Sequence, residues 1–327
     1  MIIKAGNETL WNKDFMHIFF ALNCTCNFKC SYCCNQNTRK KYPAVFPKER
    51  IASLLDEIFS LKKEEYVFSL VGGEPSIYPH LEYFYEKVNE KAPEATKIRI
   101  YTNGSRLPFI ANLIEKNSNI SHEIIISMHF EQKPEEEYLN LLSAFPYPEL
   151  ATVKILLQPN QLETALILKD KIVSLGYHYD IDPIAIWGKL HHDYPENEIA
   201  FLKQQKNMIE LFNINCINGE TFKEELNFLD YYTHHEKFNY QGLTCTAGKN
   251  FLRIMPDGTV TFCHKDWTNE NFSVLDNSLL TYIYIYIYIG ILLAWQHAAA
   301  VKTLRRCLNG KNNTAIKNTY SANRRLS

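Results

Sequence analysis

Three cysteines, Cys26, Cys30 and Cys33, form a Cys-x3-Cys-x2-Cys run directly after the apolar segment 17–23 (HIFFALN). Thiolates at this spacing can close over one face of a cubane iron–sulfur cluster, which normally takes four cysteines. A set of three leaves one iron open to bind a small chelating ligand. Two other readings compete. Structural zinc usually takes four ligands in two spaced pairs, and no second Cys-x2-Cys or His-x3-His pair follows downstream. A disulfide framework suits a secreted chain, but residues 1–6 (MIIKAG) show no signal-peptide core or cleavage site. Cys24 and Cys34 flank the run out of register and read as bystander thiols.

The order of elements bounds the fold. Apolar residues at Ile51, Leu54, Leu55, Ile58 and Phe59 predict a helix over 47–62. Short apolar runs at 66–71, 98–101, 124–128, 153–157 and 179–186 read as strands, with helices at 81–91, 107–116, 134–143 and 162–176 between them. Counting 17–22 as the first strand gives six βα units ending near Trp187, hence an α/β fold with a parallel sheet. A closed eight-unit barrel would need two more repeats. Hydrophobic residues make up 46% of the 327 and aromatics 13%, enough for a sizeable core. The formal net charge is −1, and no basic block marks a nucleic-acid partner.

The run Cys24-Thr-Cys26-Asn-Phe-Lys-Cys30-Ser-Tyr32-Cys33-Cys34 resembles the signature of the radical S-adenosylmethionine (radical SAM) enzymes, including the aromatic before the last ligand. The resemblance implies a 4Fe-4S cluster on Cys26, Cys30 and Cys33, with Tyr32 covering its SAM-binding side. It implies SAM chelated at the open iron and cleaved to methionine and a 5′-deoxyadenosyl radical. It also implies a partial (β/α)6 TIM-like barrel, which matches the six units counted, and an electron donor such as flavodoxin or ferredoxin.

Further motifs stand at strand ends, where parallel folds place their chemistry. The second strand runs into Gly72-Gly73-Glu74-Pro75. Two glycines allow close backbone approach to a ligand, and Glu74 offers a carboxylate for an ammonium group. This resembles the family's GGEP motif, so Gly72, Gly73 and Glu74 are expected to hold the methionine part of SAM. Asn103 ends the third strand and reads either as a site residue or as a turn residue before Gly104. Ser127 ends the fourth and is expected near the SAM ribose. His129 reads as a group supporting the site, as a substrate acid/base or, more commonly at a strand end, as a satisfied histidine. The sixth strand shows no glycine pattern, so no adenine-binding residue is named there.

Beyond the barrel, Cys245 precedes a hairpin with strands at 251–255 and 259–262 around Pro256-Asp257-Gly258, and Cys263 follows. The spacing Cys245-x12-Gly258-x4-Cys263 resembles the start of the SPASM or twitch auxiliary-cluster domains, which implies a second iron–sulfur cluster. The dense cysteine run that completes a SPASM domain is absent; only Cys216 and Cys307 are left to add ligands. Residues 282–289 read Tyr-Ile four times. As a strand this would be a sticky edge, and the apolar stretch around it is at the short limit for a membrane span. An uninterrupted TA repeat in the gene encodes the same alternation, so the chain after about Gly290 reads as a shifted-frame tail.

The expected organisation is a radical SAM core at 15–190, bridging helices at 191–240, an incomplete SPASM/twitch-like segment at 241–278 and an aberrant tail at 279–327. The expected function is hydrogen-atom abstraction from a peptide or protein. The alternatives are a sugar or small metabolite as substrate, or an inactive frame-shifted product that keeps the cluster. A cytoplasmic location, with no membrane partner, suits reduced thiols and an oxygen-sensitive cluster.

Overall fold

The computed structural model describes residues 2–4, 14–33, 35, 45–186, 189–205, 209–215, 221–227, 229, 250–261, 273–275 and 278–280. Six parallel strands form its centre in chain order: β2 (Phe15–Asn23), β3 (Glu65–Gly72), β4 (Thr96–Thr102), β5 (Ser121–Met128), β6 (Ala151–Leu157) and β7 (His178–Pro183). Five helices make the crossovers: α1 (Lys48–Phe59), α2 (Leu81–Lys91), α3 (Leu107–Lys116), α4 (Glu135–Ala144) and α5 (Leu162–Ser174). This is the partial TIM-like barrel expected from the repeat count.

Each element forms for a local reason. Helix α1 starts after Pro47, whose fixed φ suits a helix entry, and buries Ile51, Leu54, Leu55 and Ile58 at three-and-four spacing. In β6, Ala151, Val153, Ile155 and Leu157 are buried on the helix side, while Thr152, Lys154 and Leu156 turn to the other face. The core between sheet and helices is aromatic. Phe20 meets Phe46 and Phe84 edge-to-face, and Phe68 meets Phe59 and Phe84 in the same way. The expected strand at 179–186 stops at Pro183. A short antiparallel pair follows, β8 (Ala185–Ile186) with β9 (Lys189–Leu190).

The structure corrects two expectations. The hairpin placed outside the barrel is part of its sheet: β12 (Phe251–Ile254) pairs in parallel with β2, Arg253 beside Phe19, and β13 (Val260–Thr261) pairs antiparallel with β12. The open edge of β2 supplies the reason, since an unpaired row of amides and carbonyls is best covered by another strand. Where bridging helices are expected at 191–240, the described residues form one short helix, α6 (Glu196–Gln204), and two antiparallel strands, β10 (Ile209–Asn215) and β11 (Thr221–Asn227). Strand β1 (Ile2–Lys4) completes that second sheet. Residues 209–215 mix the two spacings, and Asn218-Gly219 between the strands is a hairpin signal that the helical reading passed over. Among the described residues no helix is long and apolar enough to cross a membrane. Cys34, Cys216, Cys245, Cys263, Cys307, the Tyr-Ile repeat and the tail lie outside the described residues.

Candidate active site

The cysteine loop leaves the carboxyl end of β2 and is gripped by the loops after β3, β4 and β5. Gly72 and Gly73 make the first grip possible. A Cβ on Gly72 would stand 2.0 Å from the Asn23 carbonyl oxygen, and one on Gly73 only 1.9 Å from that of Thr25. Gly72 also sits at φ +134°, a conformation natural only to glycine. The two glycines thus let the β3 loop touch the backbone leading into the cysteines, where the sequence suggested approach to a ligand. Two amides cross the contact, Gly73 N to Asn23 O at 3.0 Å and Glu74 N to Thr25 O at 2.8 Å.

Glu74 is buried and held by protein donors. Its residue is 1% exposed. Oε1 accepts from Ser76 N at 3.0 Å and from Thr102 Oγ1 at 2.8 Å, and Oε2 accepts from Asn103 N at 2.7 Å. A carboxylate has about four acceptor positions, and three are taken by protein donors. The acid locks the β3 and β4 loops together. Thr102 was missed in the sequence, where a threonine at a strand end carries no signal of its own.

Asn103 passes the grip to the cysteines. Its Nδ2 donates to Asn27 Oδ1 at 2.9 Å and stands 3.8 Å from Cys26 Sγ, and its Oδ1 accepts from Ser105 N at 3.0 Å. Asn27 Nδ2 closes the ring on Ser105 Oγ at 2.9 Å. Asn103 therefore serves the turn and also touches the cysteine loop. Ser127 is half-buried on β5, beside Lys154 of β6, which pairs with Asp180 of β7. Lys154 Nζ lies 2.5 Å from Asp182 and 3.4 Å from Asp180, so this side of the sheet is ionic next to Ser127.

Phe28, Cys30, Tyr32 and Ile184 are buried together, with Cys26, Cys33, Leu156 and Ile186 against them. None of Cys24, Cys26, Cys30 and Cys33 is in a disulfide. Burial, then the neighbouring charges of Cys33, Cys26 and Glu131, push the Cys30 thiol up to about 12. Tyr32, 5% exposed, stacks on His129 with ring centres 5.9 Å apart, and its hydroxyl is 3.3 Å from His129 Nδ1. Burial outweighs the attraction of Glu131 and holds the His129 imidazole down at about 4, so the ring is neutral at pH 7. His129 is the satisfied strand-end histidine expected.

The site fits an iron–sulfur cluster by donor type. Three thiols lie on one loop, partly shielded by aromatic and aliphatic side chains, and no fourth protein thiol among the described residues joins them. Among the described residues no three Cys, His, Asp or Glu side chains are already closed round a single point.

The chain is thus an α/β protein with a mostly parallel sheet and a three-cysteine loop at the carboxyl end of β2. Residues 22–128, from the end of β2 through β5, match the model of the Radical SAM superfamily. Solved structures agree on the fold. Streptococcus suis SuiB bound to precursor peptide SuiA is 14% identical, with a TM-score of 0.55 over 83% of this chain and 65% of that one. Native anSMEcpe with bound AdoMet is 13% identical, with a TM-score of 0.53 over 81% and 80%. This chain thus spans slightly under two thirds of the length of SuiB. A search of curated proteins finds no match.

Proposed function

We propose that this protein is a radical SAM enzyme that modifies a peptide or protein. Cys26, Cys30 and Cys33 would hold a 4Fe-4S cluster. When bound, such a cluster holds SAM at its open iron and supplies the electron that cleaves it, giving a 5′-deoxyadenosyl radical that takes a hydrogen atom from the substrate. The chain's own residues orient and shield. The backbone of Gly72 and Gly73 would face the methionine end of SAM, Glu74 would fix that backbone from behind, and Ser127 would meet the ribose. Tyr32 and Phe28 would exclude water from one side of the cluster. A flavodoxin or ferredoxin would supply the electron, in keeping with a cytoplasmic setting.

The observation that carries this reading is the convergence of three loop ends on one cysteine loop, the cysteines and the first two of those loops lying within the segment matched by the superfamily. The peptide substrate draws support from two fold neighbours solved with peptides, SuiB with SuiA and anSMEcpe with the Cp18Cys peptide. An auxiliary cluster on Cys245 and Cys263 belongs to the same proposal. Anaerobic reconstitution with iron and sulfide, followed by an assay for 5′-deoxyadenosine with dithionite, tests it. The expected result is cubane absorption and SAM cleavage; a protein that takes up no cluster refutes it.

A further inference from the structure

Two side chains just past the end of β5 hold the backbone on both sides of Cys30. Glu131 Oε2 accepts from Ser31 N at 2.7 Å, and its Oε1 accepts from Ser31 Oγ at 2.6 Å. Gln132 Oε1 accepts from Lys29 N at 2.9 Å. These contacts span about a hundred residues of sequence, and the stack of His129 on Tyr32 adds a third point of attachment. The turn at 129–133 is itself set, with Gln132 N and Lys133 N donating to His129 O and His129 N donating to Tyr138 Oη. A rigid turn is therefore applied to a loop that must present its thiols in one geometry.

Bare backbone amides next to a cysteine ligand are the donors that commonly point at cluster sulfurs, and such bonds, like nearby positive charge, make a cluster easier to reduce. Here the amides of Lys29 and Ser31 are turned away from sulfur and on to two side-chain acceptors. One acceptor is a carboxylate, and its charge adds to that of the thiolates.

We propose that Glu131, with Gln132, is a positioning residue that shapes the cysteine loop and keeps the cluster at low potential. This rests on the radical SAM reading of the same loop. Exchanging Glu131 for Gln removes the charge and replaces one acceptor with a donor, so the Ser31 amide and hydroxyl lose part of their hold. Exchanging Gln132 for Leu frees the Lys29 amide with no change of charge.

The test is a mediated spectroelectrochemical titration of the reconstituted full chain, with iron counted per chain. E131Q should keep its iron and be reduced more easily, by about threefold in the reduction equilibrium, ~30 mV at 59 mV per tenfold. Q132L should move the midpoint in the same direction by less. A midpoint unchanged in E131Q, with the wild-type cluster intact, overturns the inference and leaves the radical SAM reading standing. A wild-type protein without a cubane overturns both. If E131Q loses its iron, E131D, which keeps the charge, decides: iron held at the wild-type midpoint supports the carboxylate's role, and iron lost again overturns it.

Discussion

Glu74 and Asn103, 29 positions apart, are joined by a 2.7 Å hydrogen bond from the Asn103 amide to the Glu74 carboxylate. Through it the loop after β3 is tied to the loop after β4, and Asn103 in turn reaches Asn27 and Cys26. The acid of the Gly-Gly-Glu-Pro turn thus acts on the cysteines through the backbone it holds.

Glu74→Gln keeps the shape of the side chain but sets an amide nitrogen against one of three donors. Leaving a buried donor unsatisfied costs about 1–3 kcal/mol. Chemical denaturation should show a loss of that size, with SAM affinity falling only as far as the loop loosens. Wild-type stability combined with a ten- to hundredfold weaker SAM complex would instead make the carboxylate a direct ligand, a charge-assisted bond being worth about 1.5–3 kcal/mol.

Gly73→Ala drives a methyl group into the Thr25 carbonyl, 1.9 Å from where its carbon must sit. No flexible side chain can yield there, because the clash is with backbone. Overpacking of this kind costs about 1–3 kcal/mol or more, and here it displaces the entry to the cysteine loop. Iron bound per chain after reconstitution should fall well below wild type; equal loading would show that the two loops move independently.

Cys30→Ala removes the most deeply buried of the three thiols. Two thiolates rarely hold a cubane, so the brown absorption of the anaerobic protein and its SAM cleavage should both vanish. Retention of both would take Cys30 out of the ligand set.

His129 makes stability depend on pH. Its folded value, about 4, lies below the ordinary 6.5 because burial opposes the charged ring. As pH falls from about 6.5 to 4, the unfolded chain takes up a proton that the folded chain refuses, so folding weakens across that window and levels off below it. The ring retains some contact with solvent, so the loss should be about 1–2 kcal/mol. Thermal melts of the apo protein should show a shallower pH slope for His129→Phe than for wild type; parallel slopes would exclude the histidine as the cause.

Much of the barrel could be read from local pattern. Helices α2 and α3 match their expected bounds, and every central strand falls within a few residues of its apolar run, because period 3.6 and period 2 each record the burial of one face. The cysteine spacing and the Gly-Gly-Glu-Pro turn together marked the candidate site from local pattern. The stretch at 209–227 misled because short segments with mixed spacing suit either period, and only pairing with β1 and with each other decides for strands.

What the sequence alone determined is the set of parts: six βα units, a three-thiol loop after the first strand, and a glycine-acid turn after the second. The tertiary structure decided what faces what. It turned Glu74 inward on to Thr102 and Asn103, pressed Gly72 and Gly73 against Asn23 and Thr25, laid β12 along β2, and brought Glu131 and Gln132 on to the amides beside Cys30. Periodicity records that a face is buried or that a turn is sharp, both short-range properties of the chain. These contacts join residues from 28 to more than 200 positions apart, and hydrogen bonds at that separation are set by strand order and register, which leave no trace in the local pattern of either partner.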